Sequence, residues 1–335
     1  MSPSRFAEIT NRYPELRIGV VGDFCLDRYL EIDAARGEVS IETGLDVFNV
    51  VRVRSQPGGA GTIVNNLVAL GVGRIVPVGF CGEDGEGWEL MRALGALGGV
   101  TMEHFVQTPE RATFTYTKPL VVEHGATPRE LNRLDIKNWT PTPPGLGGRM
   151  AELARKVSGA VDAIVVLDQV NEGGTGVVTS PMLAALAEIA AGNTRLPILA
   201  DSRRGLRDFR GVTLKMNAAE LRNLTGAESA DAPVAAAALA RERGKPVIVT
   251  LAERGVLGAL PEGATFQIPV WPVRGEIDVV GAGDSVTANA AVALAAGATL
   301  EEALKIANAA ASIVIHQLGT TGTASVAEIA RVLGV

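Results

Sequence analysis

Four short segments of this chain combine residue types that can do chemistry. The first is Asp278-Val-Val-Gly-Ala-Gly-Asp284, followed by Ser285 and an alanine-rich stretch. Gly281 and Gly283 allow a tight turn in which the backbone N–H groups of Ala282, Gly283 and Asp284 face one concavity. A helix starting there adds the positive end of its dipole, so the place suits an anion such as a phosphoryl group in transfer. An ionised Asp284 at the helix start can accept the proton of an attacking hydroxyl. The plainer alternative is a glycine turn with an Asp cap.

The second segment is Pro57-Gly58-Gly59-Ala60-Gly61-Thr62, leading into a helix that ends near Gly71. Its glycines let the backbone press against a small polar ligand and offer N–H groups to hydroxyls. It is not a dinucleotide fingerprint, because Val64 stands where the last glycine of GxGxxG belongs, and no GxxxxGK[ST] occurs anywhere. The third segment, Gly22-Asp23-Phe24-Cys25-Leu26-Asp27, puts Asp23 and Asp27 at the end of a strand, where paired carboxylates suit a polyhydroxy ligand. A solvated turn with an Asx cap is its alternative. The fourth, Asn217-Ala-Ala-Glu220, reads both as a capping box and as a place where Glu220 orients a magnesium ion through water.

The elements that must position these segments follow from hydrophobic patterning. Val- and Ile-rich runs at 17–22, 74–80, 161–168, 196–201, 212–216 and 246–251 alternate with helical periodicity at 60–71, 86–97, 147–157, 180–191, 217–225, 232–243, 284–297, 300–316 and 325–333. Near-continuous apolar strands separated by helices indicate a parallel sheet buried on both faces. The expected architecture is an α/β doubly wound sheet with ligands at the carboxyl ends of its strands. Residues 28–56 and 111–136 break the alternation with β-branched and polar residues. They read as a small inserted β-sheet forming a lid, or more plainly as two surface hairpins. No linker divides the 335 residues, which suggests one domain.

Composition narrows the function. The chain has 31 Lys+Arg and 37 Asp+Glu, a net charge of 31 − 37 = −6, which argues against general nucleic-acid binding. It also has 47% hydrophobic residues, as a folded protein does, and 39 glycines that show no collagen period. The start of the chain lacks the apolar core of a signal peptide, and no run reaches about 18 apolar residues, so no membrane partner is expected. Cys25 and Cys81 are too few for a disulfide framework, and His104, His124 and His316 are isolated. The expectation is a cytoplasmic protein.

The four motifs, in this order from about Arg17 to Leu333, resemble the ribokinase-like (PfkB-type) carbohydrate kinases. The resemblance implies a three-layer αβα sheet with a β-sheet lid, and phosphorylation of a sugar or sugar-phosphate hydroxyl by ATP with Mg2+. It implies that Gly281, Ala282 and Gly283 form the anion hole and that Asp284 is the base. Asp27, Gly58 and Gly59 would hold the sugar. Asn217 and Glu220 would lie near magnesium and the nucleotide phosphates, and Asn308 would line the adenine pocket. Thr250-Leu-Ala252-Glu-Arg-Gly255 matches a T-L-G-x-x-G turn that borders the nucleotide.

Within the family, GDFCLDRYL at 22–30, LNRLDIKN at 131–138 and ANAAASIVIHQLGTTGTASVAEI at 307–329 look most like the kinase half of the bacterial heptose-7-phosphate kinase/ADP-heptose synthase. The adenylyltransferase half has no counterpart here, so the expectation is confined to the kinase step. Three departures stand out. Thr62 replaces a usual sugar-binding Asn, Ala252 replaces the middle glycine of the nucleotide turn, and Ser40-Ile-Glu42-Thr-Gly44 replaces an S-P-E-A-P lid phrase.

The resemblance leaves other acceptors open, namely ribose, fructose, a ketodeoxy sugar acid or a nucleoside, the last disfavoured by 4% aromatics. It also leaves open a monovalent cation. Arg28, Arg36, Lys118 and Arg133 could grip a substrate phosphate or be solvated surface. Exposed lid edges suggest a homodimer through the lid. A non-catalytic sugar- or nucleotide-binding regulator is the rival from another class, and an oxidoreductase lacks its fingerprint.

Overall fold

Strand residues alternate between two separate cores, which is why the sequence shows near-continuous apolar runs. In the computed structural model, which describes residues 1–123, 128–227 and 231–335, Ile18 and Val20 enter one core and Val21 the other. Ala163, Val165 and Leu167 likewise face away from Ile164 and Val166. His124, with the part of the 111–136 segment at 124–127, lies outside the described residues.

In chain order the first half forms α1 (Pro3–Thr10), β1 (Arg17–Gly22), β2 (Phe24–Asp33), β3 (Glu38–Val39), β4 (Asp46–Val47), β5 (Val50–Gly59), α2 (Ala60–Ala69), β6 (Arg74–Gly82), α3 (Gly85–Gly95), β7 (Phe105–Thr108) and β8 (Phe114–Val122). There follow β9 (Arg129–Glu130), β10 (Leu134–Ile136), α4 (Pro144–Ser158), β11 (Ala163–Asp168), α5 (Ser180–Gly192), β12 (Ile198–Ser202), β13 (Thr213–Asn217), α6 (Ala218–Thr225) and α7 (Ala232–Arg243). The chain closes with β14 (Val247–Thr250), β15 (Val256–Ala259), β16 (Thr265–Ile268), α8 (Ala282–Ala295), α9 (Leu300–Val314) and α10 (Val326–Leu333).

Among the described residues the main sheet runs in the order β16-β15-β14-β13-β12-β11-β1-β6-β7, parallel except for the β14-β15-β16 edge. The strand order turns at β1, which lies between β6 and β11. A crevice therefore opens at the carboxyl ends of β1 and β11, the ligand position of doubly wound sheets. Helices α2, α8 and α9 carry residues of the first core, and α4, α5 and α7 carry residues of the second, so the sheet is a middle layer.

The small sheet anticipated from 28–56 and 111–136 is present, in the order β10-β8-β2-β5 with β9 on β8. It begins earlier than the sequence suggests. β2 starts at Phe24, two residues after β1 ends, so the main sheet feeds directly into it. Helix α1 and strands β7, β15 and β16 were not expected. The three strands are each four residues long, too short to show a period, and β15 and β16 form an antiparallel edge. α1 is nucleated locally by Pro3 and by Ser2, whose side chain accepts from Arg5 N. Among the described residues no helix is long and apolar enough to cross a membrane.

Candidate active site

α8 starts from a turn in which Gly281 has φ +83°, a conformation that costs a side-chain-bearing residue about 1–2 kcal/mol. The turn is closed by Ser285 N donating to Gly281 O at 2.9 Å and by Ala282 N donating to Val279 O at 3.2 Å. The N–H groups of Gly283 and Asp284 have no partner among the described residues. The glycine turn thus offers two unpaired donors, not three, because Ala282 uses its own to shape the turn.

Asp284 lies in the first turn of this helix, and its carboxylate accepts no hydrogen bond among the described residues. Burial pushes its carboxyl up to about 7, with Asp201 adding to the shift and Lys215 and Arg203 opposing it. A base of that proton affinity is matched to neutral pH. Lys215 reaches the turn from β13. Its Nζ would lie 3.0 Å from a Cβ built on Gly283, and it donates to Asp201 Oδ2 at 2.6 Å. Burial works to lower the Lys215 pKa, but Asp201 outweighs it and the net shift is upward, so the ammonium stays charged. A buried cation therefore sits beneath the two free N–H groups.

Asp27 marks the other side of the cleft. It is 8% exposed, and its carboxylate has no hydrogen-bond partner among the described residues. A Cβ on Gly58 would fall 2.5 Å from Asp27 Oδ2, so the strand needs glycine there to let the carboxylate lie across it. Gly59 caps α2, and Thr62 lies in that helix's first turn, buried, with its hydroxyl unpaired among the described residues. Burial raises the Asp27 pKa, while Lys118, Arg133 and Arg203 draw it down. Tyr116 stands opposite Asp27 in the β2–β8 ladder. Arg133 lies 5.0 Å from the Tyr116 ring centre and pairs with Asp135, and Lys118 lies 5.2 Å from that of Tyr29. Arg28 and Arg36 are taken by other acids. Arg28 pairs with Glu86 and Glu89 of α3, and Arg36 with Asp33.

Asp23, read from sequence as a second ligand for hydroxyls, has a different occupation. It is 2% exposed, and its carboxylate accepts from Gln169 N at 2.8 Å, Val170 N at 3.2 Å and Val177 N at 2.7 Å. Burial next to Asp168 pushes its carboxyl up to about 6. Its hydrogen-bonding capacity goes into holding the loop after β11, which leaves Asp27 as the acid open to a ligand.

At the start of α6, Asn217 and Glu220 form a reciprocal capping box, with Glu220 N donating to Asn217 Oδ1 at 2.9 Å and Asn217 N to Glu220 Oε2 at 2.7 Å. Glu220 Oε1 remains unpaired among the described residues, and burial together with Asp201 raises the Glu220 pKa. A free carboxylate oxygen near Asp201 can receive the water of a hydrated divalent cation, with Lys215 and Arg203 opposing Asp201. Thr250 pairs with Asn217 across β13–β14 and opens the turn that runs to Gly255. Ala252 in that turn has φ +51°, the one positive-φ residue other than glycine among those described. Asn308 is 7% exposed, and its Nδ2 donates to Pro269 O at 2.7 Å, so its amide tethers the chain after β16.

Residues 165–327, which include Asp201, Lys215, Glu220 and the whole 278–284 turn, match the model of the pfkB family carbohydrate kinases. The chain thus carries a domain of that family over just under half of its length. It is 32% identical over 308 residues to the bifunctional protein HldE of Azorhizobium caulinodans, covering 90% of this chain and 61% of that protein. It is 34% identical over 326 residues to HldE of Rhodospirillum rubrum, covering 94% and 62%. The chain thus spans about three fifths of the length of these relatives. Among solved structures it resembles Arabidopsis thaliana ribokinase complexed with ribose and ATP (TM-score 0.68, 20% identity, covering 96% of this chain and 99% of that one). It also resembles phosphofructokinase-2 from Escherichia coli (TM-score 0.69, 19% identity, covering 95% and 98%).

Three residues of the candidate site escaped the sequence reading. Lys215 and Asp201 sit in buried parallel strands, where a charged side chain needs a partner, and that was the available signal. Arg203 follows β12. With the Gln169 amide turned to receive it, Arg203 donates through Nε at 3.2 Å and Nη2 at 2.6 Å. Gln169 Cγ lies 3.6 Å from a Cβ built on Gly59, so the side chain that receives this guanidinium packs beside the glycines. It acts electrostatically on Asp27, Asp284 and Glu220 together. Nothing local in Asp201-Ser-Arg-Arg204 distinguishes Arg203 from its neighbour, whose guanidinium pairs with Asp168.

Proposed function

We propose that this kinase transfers the γ-phosphoryl group of ATP to a hydroxyl of a sugar phosphate, and that heptose 7-phosphate is its acceptor. The observation that carries the reading is the pair of unpartnered carboxylates, Asp284 beside two free N–H groups and Asp27 among Lys118, Arg133 and Arg203. Asp27, Gly58 and Gly59 hold the sugar, and Thr62 offers a hydroxyl. The cations about Asp27 favour an acceptor that already carries an anionic group. The likeness of segments 22–30, 131–138 and 307–329 to heptose kinases narrows that acceptor to heptose 7-phosphate.

Asp284 takes the proton as the acceptor O–H bond breaks. The oxygen forms its bond to the γ-phosphorus, and the bond from that phosphorus to the β-phosphate oxygen breaks, releasing ADP. The N–H groups of Gly283 and Asp284, with Lys215 behind them, meet the charge on the moving phosphoryl group. Magnesium, held by Glu220 through water, would neutralise charge on the nucleotide phosphates. The turn from Thr250 to Gly255 borders the nucleotide, and Asn308 braces the chain beside its base. In this reading residues 1–335 act as one domain, with 28–56 and 111–136 as a lid that excludes water.

Mg-ATP turnover with heptose 7-phosphate, fructose 6-phosphate, ribose, fructose, a ketodeoxy sugar acid and a nucleoside tests the proposal. The phosphorylated sugars should give the highest kcat/KM, with heptose 7-phosphate first. Preference for a neutral sugar would overturn the anionic acceptor. Binding without turnover of any of these would favour a regulator.

We further propose a homodimer through the small sheet. β5 is its edge, and Val51, Val53, Ile41, Leu45 and Phe48 are exposed on it and on the neighbouring hairpin. Light scattering should show a dimer that Val53→Lys converts to monomer. A wild-type monomer at high concentration would remove this part.

A further inference from the structure

Gln56 stands in β5 opposite Asp27, across the β2–β5 ladder. Its amide nitrogen donates to Thr321 Oγ1 at 2.6 Å, and its amide oxygen accepts from Thr320 Oγ1 at 3.2 Å. Both threonines lie in the loop after α9. Among the described residues, the hydrogen bonds between the small sheet and this loop are both made by Gln56.

The same loop reaches the anion-binding turn. Thr321 is buried, and its Cβ would lie 3.3 Å from a Cβ built on Gly281. Gly319 N donates to Asp278 Oδ2 at 3.4 Å, and Asp278 N donates to Ile315 O at 2.8 Å. Gln317 closes the loop on itself, donating to Thr323 O at 2.7 Å and accepting from Thr323 N at 3.1 Å. Short contacts therefore run from the strand beside Asp27, through Gln56 and Thr321, to the glycine that sets the start of α8. Ser55, the preceding residue, takes a different partner and donates to Glu89 Oε2 of α3 at 2.6 Å. That second attachment anchors the sheet to the body without touching the phosphate end.

Phosphoryl transfer requires the acceptor oxygen and the γ-phosphorus to be held in line, and a misplacement of about 1 Å can cost on the order of 10²-fold in rate. We propose that Gln56 is a positioning residue whose two-point clasp on Thr320 and Thr321 keeps the acceptor strand in register with the anion-binding turn. The kinetic consequence rests on the kinase reading above; the structural one does not.

Two measurements test it. Gln56→Leu should lower kcat for the sugar about 10- to 100-fold, leave the KM for ATP little changed, and raise the share of ATP released as free phosphate. Thr321→Val should do the same, and the double variant should be no worse than the worse single one. An unchanged kcat, or losses that multiply, would overturn the clasp. In the unliganded protein, Gln56→Leu should speed amide hydrogen exchange at 278–284 while leaving β11 unchanged. Unaltered exchange at 278–284, or acceleration spread evenly over the main sheet, would overturn the proposal whatever the acceptor proves to be. A wild-type protein inactive on every sugar would sink the kinase reading alone, and the exchange result would still decide for or against Gln56.

Discussion

At the start of α8, the groups that would meet an anion are backbone N–H groups of Gly283 and Asp284, backed by the buried Lys215–Asp201 pair. Around Asp27 the corresponding groups are side chains of the small sheet, Tyr116 and Lys118 on β8 and Arg133 just before β10, with Arg203 reaching in from the end of β12. Backbone donors survive most substitutions and read only charge and shape. Side chains can be exchanged one at a time, and each exchange alters what is recognised. Under the proposed function the first region would carry the reaction and the second select the acceptor, so substitutions in the two should fail differently.

The sharpest break in that contrast is Asp284→Asn, which should lower turnover by at least about 10³-fold while ATP affinity, measured calorimetrically, stays near wild type. The same change should stabilise the fold, because it removes a carboxylate whose pKa is raised by burial. For such a group the folded state holds the proton more tightly than the unfolded one, so stability falls as pH rises from about 4 to 7. The gain should be about 1–2 kcal/mol at pH 8 and smaller at pH 5, read from denaturant midpoints. Asp27→Asn should instead raise the acceptor KM about 10- to 100-fold and leave the KM for ATP alone. Equal losses in both constants would erase the division of labour.

The pH profile separates the two regions more finely. The rate should climb through about pH 7 as Asp284 loses its proton. Lys215→Met should move that limb upward, since Lys215 favours the ionised carboxylate, and Asp201→Asn should move it downward. An unmoved limb in both variants would detach Asp284 from the rate. The smallest effect belongs to Ala252→Gly. Ala252 is exposed, so relieving its φ of +51° should stabilise the protein by about 1 kcal/mol in thermal unfolding, with no change in acceptor preference.

Much of this was legible before the fold. Hydrophobic period located strands from Arg17 to Thr250 and the helices from α2 to α10, because burial on both faces of a parallel sheet leaves an apolar run. It missed β7, β15 and β16, whose four residues each carry too little pattern. The 278–284 turn announced itself through glycine spacing. Carboxylates were harder, since Asp23 and Asp27 sit in one six-residue segment and look equivalent there.

The spacing of glycines and acids by itself determined the glycine turn at 278–284, the capping box at Asn217 and the alternation of strand and helix. These depend on local backbone conformation and on periods of two or 3.6 residues. Only the tertiary structure decided which acid is free. Asp23 is consumed by N–H groups up to 154 positions away, while Asp27 is left open among cations from distant segments of the chain. Distance in sequence carries no information about such partners, because chain folding alone brings them within hydrogen-bonding reach.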